Sequence, residues 1–268
     1  MALAALTRFT SHGVTLVGDI SSPGGVTFAF TERTGGASTG VYSSLNIGAA
    51  CGDDLALVTE NRRRVLAALG AEDAMARLVN PHQVHGDHVA VVRSADEAHL
   101  ASVRAEVAEG ADAVVCVAEG VPVLLGFADC VPVVVCAPHG FAVVHSGWKG
   151  TELRIAAKAA RVLMDETGAS ADSLCAYVGP HITAADYEVS PELAGRFSRE
   201  FGDACMVGER NLDLGYCVRA ALGDAGIPEE SIVDPDISTY DTSRFFSYRA
   251  SGGRCGRHGA VAVILPRR

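Results

Sequence analysis

The sequence predicts an α+β fold built on mixed sheets, and three observations carry that expectation. Strand-like runs follow one another without helices between them, whereas a doubly wound fold alternates the two. The runs are short and rich in Val, which suits sheet buried on both faces. The helix-like stretches are few, and each is bounded by a cap or a glycine.

The expected strands are Val26–Thr31, His88–Val92, Ala113–Val117, Val121–Phe127, Val131–Cys136, Phe141–His145, Leu174–Val178 and Ala260–Leu265. A first helix follows Asp53 or Asp54 as cap, with Leu55, Val58, Val65, Leu66 and Leu69 at helical spacing and Gly70 as the stop. A second is capped by Thr151, carries Leu153, Ala156, Ala160 and Leu163 on one stripe, and ends before Gly168. A third spans Pro191–Phe201. A fourth runs over Leu214–Ala225 and is closed by Gly226 and Pro228. No repeat, low-complexity tract or Pro/Gly-rich linker interrupts the chain, so residues 1–268 read as a single domain.

With 49% hydrophobic and 20% charged residues, the chain has the make-up of a globular protein, and its net charge is −10. That balance argues against a nucleic-acid binder: no basic run exceeds Arg62-Arg63-Arg64, which lies on the first helix and reads as a solvated face. No apolar run is long enough to span a membrane. Met1–Leu6 is apolar but short, Arg8 follows it, and it lacks the graded regions of a signal peptide; a cytoplasmic monomer is the expectation. The chain has eight cysteines and no CxxC pair, and Cys116, Cys136 and Cys175 fall in apolar runs, so they read as reduced, buried thiols.

Cys130 stands apart. The runs Val131–Cys136 and Phe141–His145 flank Ala137-Pro138-His139-Gly140, a hairpin loop of turn-forming residues. Symmetry about the Pro138–His139 bond puts His145 opposite Pro132, two residues along the strand from Cys130 and therefore on the same face. Small residues follow His145 and lead to a helix, a favourable place for an anion. Asp129 precedes Cys130, where it can orient a ligand or take a proton.

A second cluster lies in Asn80-Pro81-His82-Gln83-Val84-His85-Gly86-Asp87-His88, which holds three of the nine histidines. In an extended segment His82 and His85 face opposite ways, so one of them joins the site. Two His and a Cys with one position open describe a catalytic zinc, and the same set describes a type of copper site. Two other readings use the same residues. In one, Cys130 is a nucleophile with His145 as its base and no metal, which would make an amide hydrolase. In the other, His82 closes a purely structural metal site.

The motifs carry a resemblance that covers nearly the whole chain. They include Thr31-Glu32-Arg33-Thr34-Gly35-Gly36, Ser44-Leu45-Asn46-Ile47-Gly48 and His82-Gln83-Val84-His85-Gly86. They continue with Ala128-Asp129-Cys130-Val131-Pro132, His145-Ser146-Gly147-Trp148-Lys149-Gly150 and Arg244-Phe245-Phe246-Ser247-Tyr248-Arg249. The chain resembles the laccase-domain, or multicopper polyphenol oxidoreductase, family, also called the peptidoglycan editing factor family. The resemblance implies an α/β/β/α mixed-sheet sandwich, similar to Cys–His deamidating toxins. It implies metal ligands at His85, Cys130 and His145, with Zn²⁺ expected and Cu²⁺ as the alternative.

The activity it implies is phosphorolysis of a purine nucleoside (adenosine, inosine or methylthioadenosine) to free base and ribose 1-phosphate, with adenosine deamination beside it. The partners expected are therefore a small-molecule nucleoside and phosphate. Arg33, Arg249 and Arg257 are the candidates for phosphate, because a guanidinium fork matches its oxygens. Asn46 and Gln83 are the candidates for contact with the nucleoside. The older family name implies copper-dependent oxidation of phenols, but a four-copper laccase consumes about ten histidines, largely as His-x-His pairs. This chain has nine histidines and no such pair. It also departs from the family pattern: Ser146 and Lys149 stand where Ala and Arg are usual, Ser238-Thr239 where a Cys-Thr pair is common, and Thr183–Asp186 where Gly-Pro-Cys-Cys is common.

Overall fold

A computed structural model describes residues 4–266, so the Met1–Leu6 stretch lies partly outside the described residues. In chain order the elements begin with β1 (Thr7–Ser11), β2 (Val14–Gly18), β3 (Val26–Thr31), α1 (Leu55–Ala68), β4 (Val89–Val92) and α2 (Glu97–Glu109). β5 (Ala113–Cys116), β6 (Val123–Phe127), β7 (Val131–Ala137), β8 (Gly140–Ser146), α3 (Trp148–Glu152), α4 (Ile155–Thr167) and β9 (Cys175–Val178) follow. The chain ends with α5 (Pro191–Phe201), β10 (Met206–Val207), β11 (Asn211–Leu212), α6 (Leu214–Asp224), β12 (Ile232–Val233) and β13 (His258–Ile264).

Two sheets dominate. One has the order β1-β2-β3-β13-β6 and is antiparallel throughout. The other, β12-β9-β7-β8-β5-β4, is mixed, with parallel pairs at its two edges. Phe28, Phe30, Leu125 and Phe127 of the first sheet meet Val134, Cys136, Phe141 and Val143 of the second in a shared core. Alternate residues of β7 and β8 point the other way, and Val133, Val135 and Val144 pack under Ala156 and Leu163 of α4 and Val218 of α6. Because β7 and β8 are buried on both faces, they read as apolar runs, broken only by His145 and Ser146 at the end of β8. Beyond the first sheet, Leu16, Ala29 and Val261 pack on Val65 and Leu66 of α1. The layers are thus α/β/β/α, as expected, and no described helix is long and apolar enough to cross a membrane.

The hairpin has the expected register, with Pro132 opposite His145. Asp54 caps α1 by accepting from the Ala56 N–H, but Leu55 is 61% exposed and takes no part in the core. The second expected helix is divided. Thr151 is not its cap: it lies within α3 and shares a 2.8 Å hydrogen bond with the Ser146 hydroxyl. The chain then turns through Arg154 at φ 57° before α4 begins, which leaves Leu153 exposed.

Candidate metal centre

The passage from one sheet to the other takes three residues, Ala128, Asp129 and Cys130, between the end of β6 and the start of β7. Asp129 sits at φ 90° there, and that left-handed bend turns Cys130 into its position. His145 comes from β8 and is buried. His85 arrives on the loop before β4, itself left-handed at φ 59°. The Cys130 sulfur and one nitrogen from each imidazole all lie within 4.8 Å of one another. His82 stays out: its N–H donates to Val107 and its carbonyl accepts from Ala111, while its ring is exposed. The simple alternation expected of the His82–His85 stretch breaks at His85, where the backbone is not extended.

Two features shape this cluster. A Cβ at residue 147 would stand 2.8 Å from His85 Cδ2 and 3.1 Å from the Cys130 sulfur, so only glycine lets the two ligands close in. The other is Asp112, just before β5, which the sequence reading missed. Its Oδ1 accepts the Nδ1–H of His145 at 2.7 Å and the backbone N–H of His85 at 3.0 Å. Its Oδ2 accepts the N–H groups of Gly86 at 2.7 Å and Val84 at 3.1 Å. The one available signal was a carboxylate inside the apolar stretch Ala111–Val115, since a buried charge needs partners.

Charge within the cluster is cooperative. Burial disfavours a thiolate at Cys130, but the imidazoles of His145 and His85 outweigh it and lower its pKa. Burial likewise disfavours protonation of His145, but Cys130 and Asp112 raise its pKa above the ordinary imidazole value. Cys116, Cys136, Cys175, Cys205 and Cys217 are all shifted upward, chiefly by burial. All eight cysteines are free thiols.

The other expected site residues are more dispersed. Asp129 accepts the Thr239 hydroxyl and the Arg249 N–H, each at 2.7 Å, and so clamps the Arg244–Arg249 segment against the Cys130 turn. Gln83 exchanges two 2.9 Å hydrogen bonds with the Gly126 backbone and ties the His85 loop to β6. Asn46 is fully buried: its amide donates to Asp53 at 2.8 Å and its oxygen accepts the Arg257 N–H at 2.7 Å. The Arg33 guanidinium donates to the carbonyls of Ser43 and Thr242 and lies 4.3 Å over Phe246. It lines a surface pocket with Thr34, Ser43, Ser44 and Ser243. Arg257 spends Nη1 on the carbonyls of Cys255 and Gly256. Arg249 donates to the Glu188 carbonyl and lies 5.2 Å over Tyr187.

The donor set fits a metal. Ligands about 2.0–2.3 Å from a common tetrahedral ion stand roughly 3.3–3.6 Å apart, so the trio, within 4.8 Å of one another, would draw together to hold one.

Residues 27–265 match the family model described as multi-copper polyphenol oxidoreductase laccase. The chain belongs to this family. A relative in Deinococcus radiodurans named purine nucleoside phosphorylase is 38% identical over 250 residues, which is 91% of this chain and 90% of that protein. A protein named adenosine deaminase RL5, from an unknown prokaryotic organism, is 33% identical over 81% of this chain and 85% of its own length. Among solved structures, the Bacillus licheniformis hypothetical protein YfiH superposes with a TM-score of 0.84 at 28% identity, covering 97% of this chain and 98% of that one. The family thus combines a copper-oxidase description with members named for nucleoside chemistry.

Proposed function

We propose that this chain is a purine nucleoside phosphorylase acting at a mononuclear zinc site formed by His85, Cys130 and His145, with residues 1–268 as one cytoplasmic, monomeric catalytic unit. The observation that carries this reading is the His–Cys–His cluster in a chain whose relative, similar over nine-tenths of both lengths, bears that name. Zinc is preferred to copper because neither phosphorolysis nor deamination transfers electrons, so a redox-inert Lewis acid suffices. When bound, zinc would polarise a substrate oxygen or hold a water at its open position.

The chain's own residues supply the rest. Asp112 keeps the proton on His145 Nδ1 and leaves Nε2 bare for the ion. Arg249 is the leading phosphate ligand, because Asp129 fixes its backbone beside the Cys130 turn. Arg33, with three serines around it, is the second candidate. Arg257, Asn46 and Gln83 act in this reading as braces of the surrounding loops.

Adenosine deamination at the same site is the companion reading, supported by the relative named for it. The mutual stabilisation of a Cys130 thiolate and a His145 imidazolium keeps the amide-hydrolase alternative in view. Copper-dependent oxidation of phenols is supported by the family description alone. Purified protein incubated with adenosine, with and without phosphate, tests the assignment by product analysis. Phosphate-dependent adenine and ribose 1-phosphate are expected. Turnover to inosine alone, or no turnover with zinc bound, overturns phosphorolysis.

A further inference from the structure

We propose that Asp112 is the positioning residue that shapes the metal centre before any ion arrives, setting metal affinity by holding two of its three ligands with one carboxylate. The inference rests on the metal reading of His85, Cys130 and His145.

The carboxylate is completely buried and accepts four hydrogen bonds. One comes from the ring of His145. A carboxylate in this state only accepts, so Nδ1 of His145 must carry a proton, and Nε2 is the nitrogen left to face the cluster. The other three come from the consecutive backbone N–H groups of Val84, His85 and Gly86. Three adjacent donors can converge on one acceptor group only where the chain curls, and His85 is left-handed at that point. The curl is strained for a residue with a side chain, and the carboxylate holds it in place. The His145 N–H also donates to the Asp112 carbonyl at 2.7 Å, which locks β8 to the same residue. Asp112 therefore fixes the tautomer of one ligand and the backbone of another.

An Asp112→Asn substitution separates this role from simple neutralisation of a buried group. The amide keeps one acceptor oxygen and turns the other position into a donor. With the oxygen toward His145, the amide N–H₂ faces the N–H groups of Val84 and Gly86, and the loop carrying His85 is released. With the amide flipped, the N–H₂ faces His145 Nδ1, which must then accept, and the ring proton moves to Nε2 where the metal binds. Either orientation disables one ligand.

The test is the zinc dissociation constant of the wild-type chain and of D112N, measured by competition with a chromogenic chelator, alongside the melting temperature of each zinc-free protein. D112N is expected to bind zinc about ten- to a hundredfold more weakly. Zinc affinity equal to wild type, whatever the melting temperature, overturns the proposal, since a merely structural role moves only the latter. Should D112N not fold, nitrogen-15 NMR of the histidines in the zinc-free wild-type chain decides the matter. Nδ1 of His145 is expected to carry a proton in that spectrum; an unprotonated Nδ1 overturns the proposal. A wild-type chain that binds no zinc overturns the metal reading instead, and the NMR result still judges the Asp112–His145 bond.

Discussion

His258 opens β13 directly opposite Phe127, and it is a fully buried histidine whose ring nitrogens find no partner of good hydrogen-bond geometry among the described residues. Its ring is stacked with Phe127 at 6.3 Å and set edge-on to Phe245 at 5.5 Å. Burial is the main reason its pKa falls to about 3; the Pro180 carbonyl opposes it, Arg257 adds to it, and the smaller effects of the Phe246 carbonyl and Arg33 oppose each other. An unfolded histidine takes up a proton near pH 6.5, so below that value the unfolded chain binds a proton the folded chain refuses. The folded state is therefore favoured above pH 6.5 and loses stability as the pH falls from there toward 3. Between pH 7.5 and pH 5 this one group removes about 2 kcal/mol, a large part of an ordinary folding free energy.

The perturbation is His258→Phe, which keeps an aromatic ring among aromatic neighbours and cannot titrate. Urea unfolding of the zinc-free protein at pH 7.5 and pH 5, for both chains, gives four free energies. The difference of differences cancels groups that titrate in both chains, Cys130 and His145 included. The wild-type chain is expected to lose about 2 kcal/mol more than the variant over that interval. Equal losses in the two chains refute the argument and mean that His258 is protonated, or hydrated, in the folded state.

Three further outcomes follow from the geometry. Cys130→Ala removes the only sulfur of the cluster and is expected to abolish both zinc binding, read by metal analysis after gel filtration, and phosphorolysis; retained zinc would refute the ligand assignment. Gly147→Ala places a methyl group against His85 and Cys130, and is expected to weaken zinc binding at least tenfold with little change in circular dichroism. Arg249→Ala is expected to raise the KM for phosphate about tenfold or more while zinc content and the nucleoside KM hold, in steady-state assays; an unchanged phosphate KM returns the role to Arg33.

Much of the fold was legible because it rests on local rules. α5 matches its expected bounds to the residue, since Ser190 caps it, Pro191 opens it and Gly202 follows its end. The β7–β8 register followed from loop symmetry alone and placed His145 correctly against Pro132. α2 was missed because its buried face is only Leu100, Val103 and Val107 among charged and small residues. The break between α3 and α4 had no local sign, for it turns on Arg154, a residue type that rarely adopts the left-handed conformation.

The site divides along the same line. The clustering of Cys130 and His145 was readable from the hairpin, whereas the choice of His85 over His82 came with the family resemblance. The supports of these residues were not readable, because polar side chains look alike in sequence whether they serve a ligand or the chain's own backbone. Gln83 and Asn46 bond to main-chain groups far away in sequence, and Asp112 reaches His145 across 33 positions. Such partners exist only once the sheets have packed.

The order of strands also bears on when the site can exist during synthesis. β6, which delivers the Cys130 turn and anchors Gln83, is paired in its sheet to β13, the last strand of the chain. A nascent chain that has already exposed His85, Cys130 and His145 to the cell still lacks the strand that holds β6 in register with β3. The sheet that seats the Cys130 turn is therefore complete only once residues 258–264 have been made, so the geometry of the cluster depends on a strand far downstream of all three of its residues.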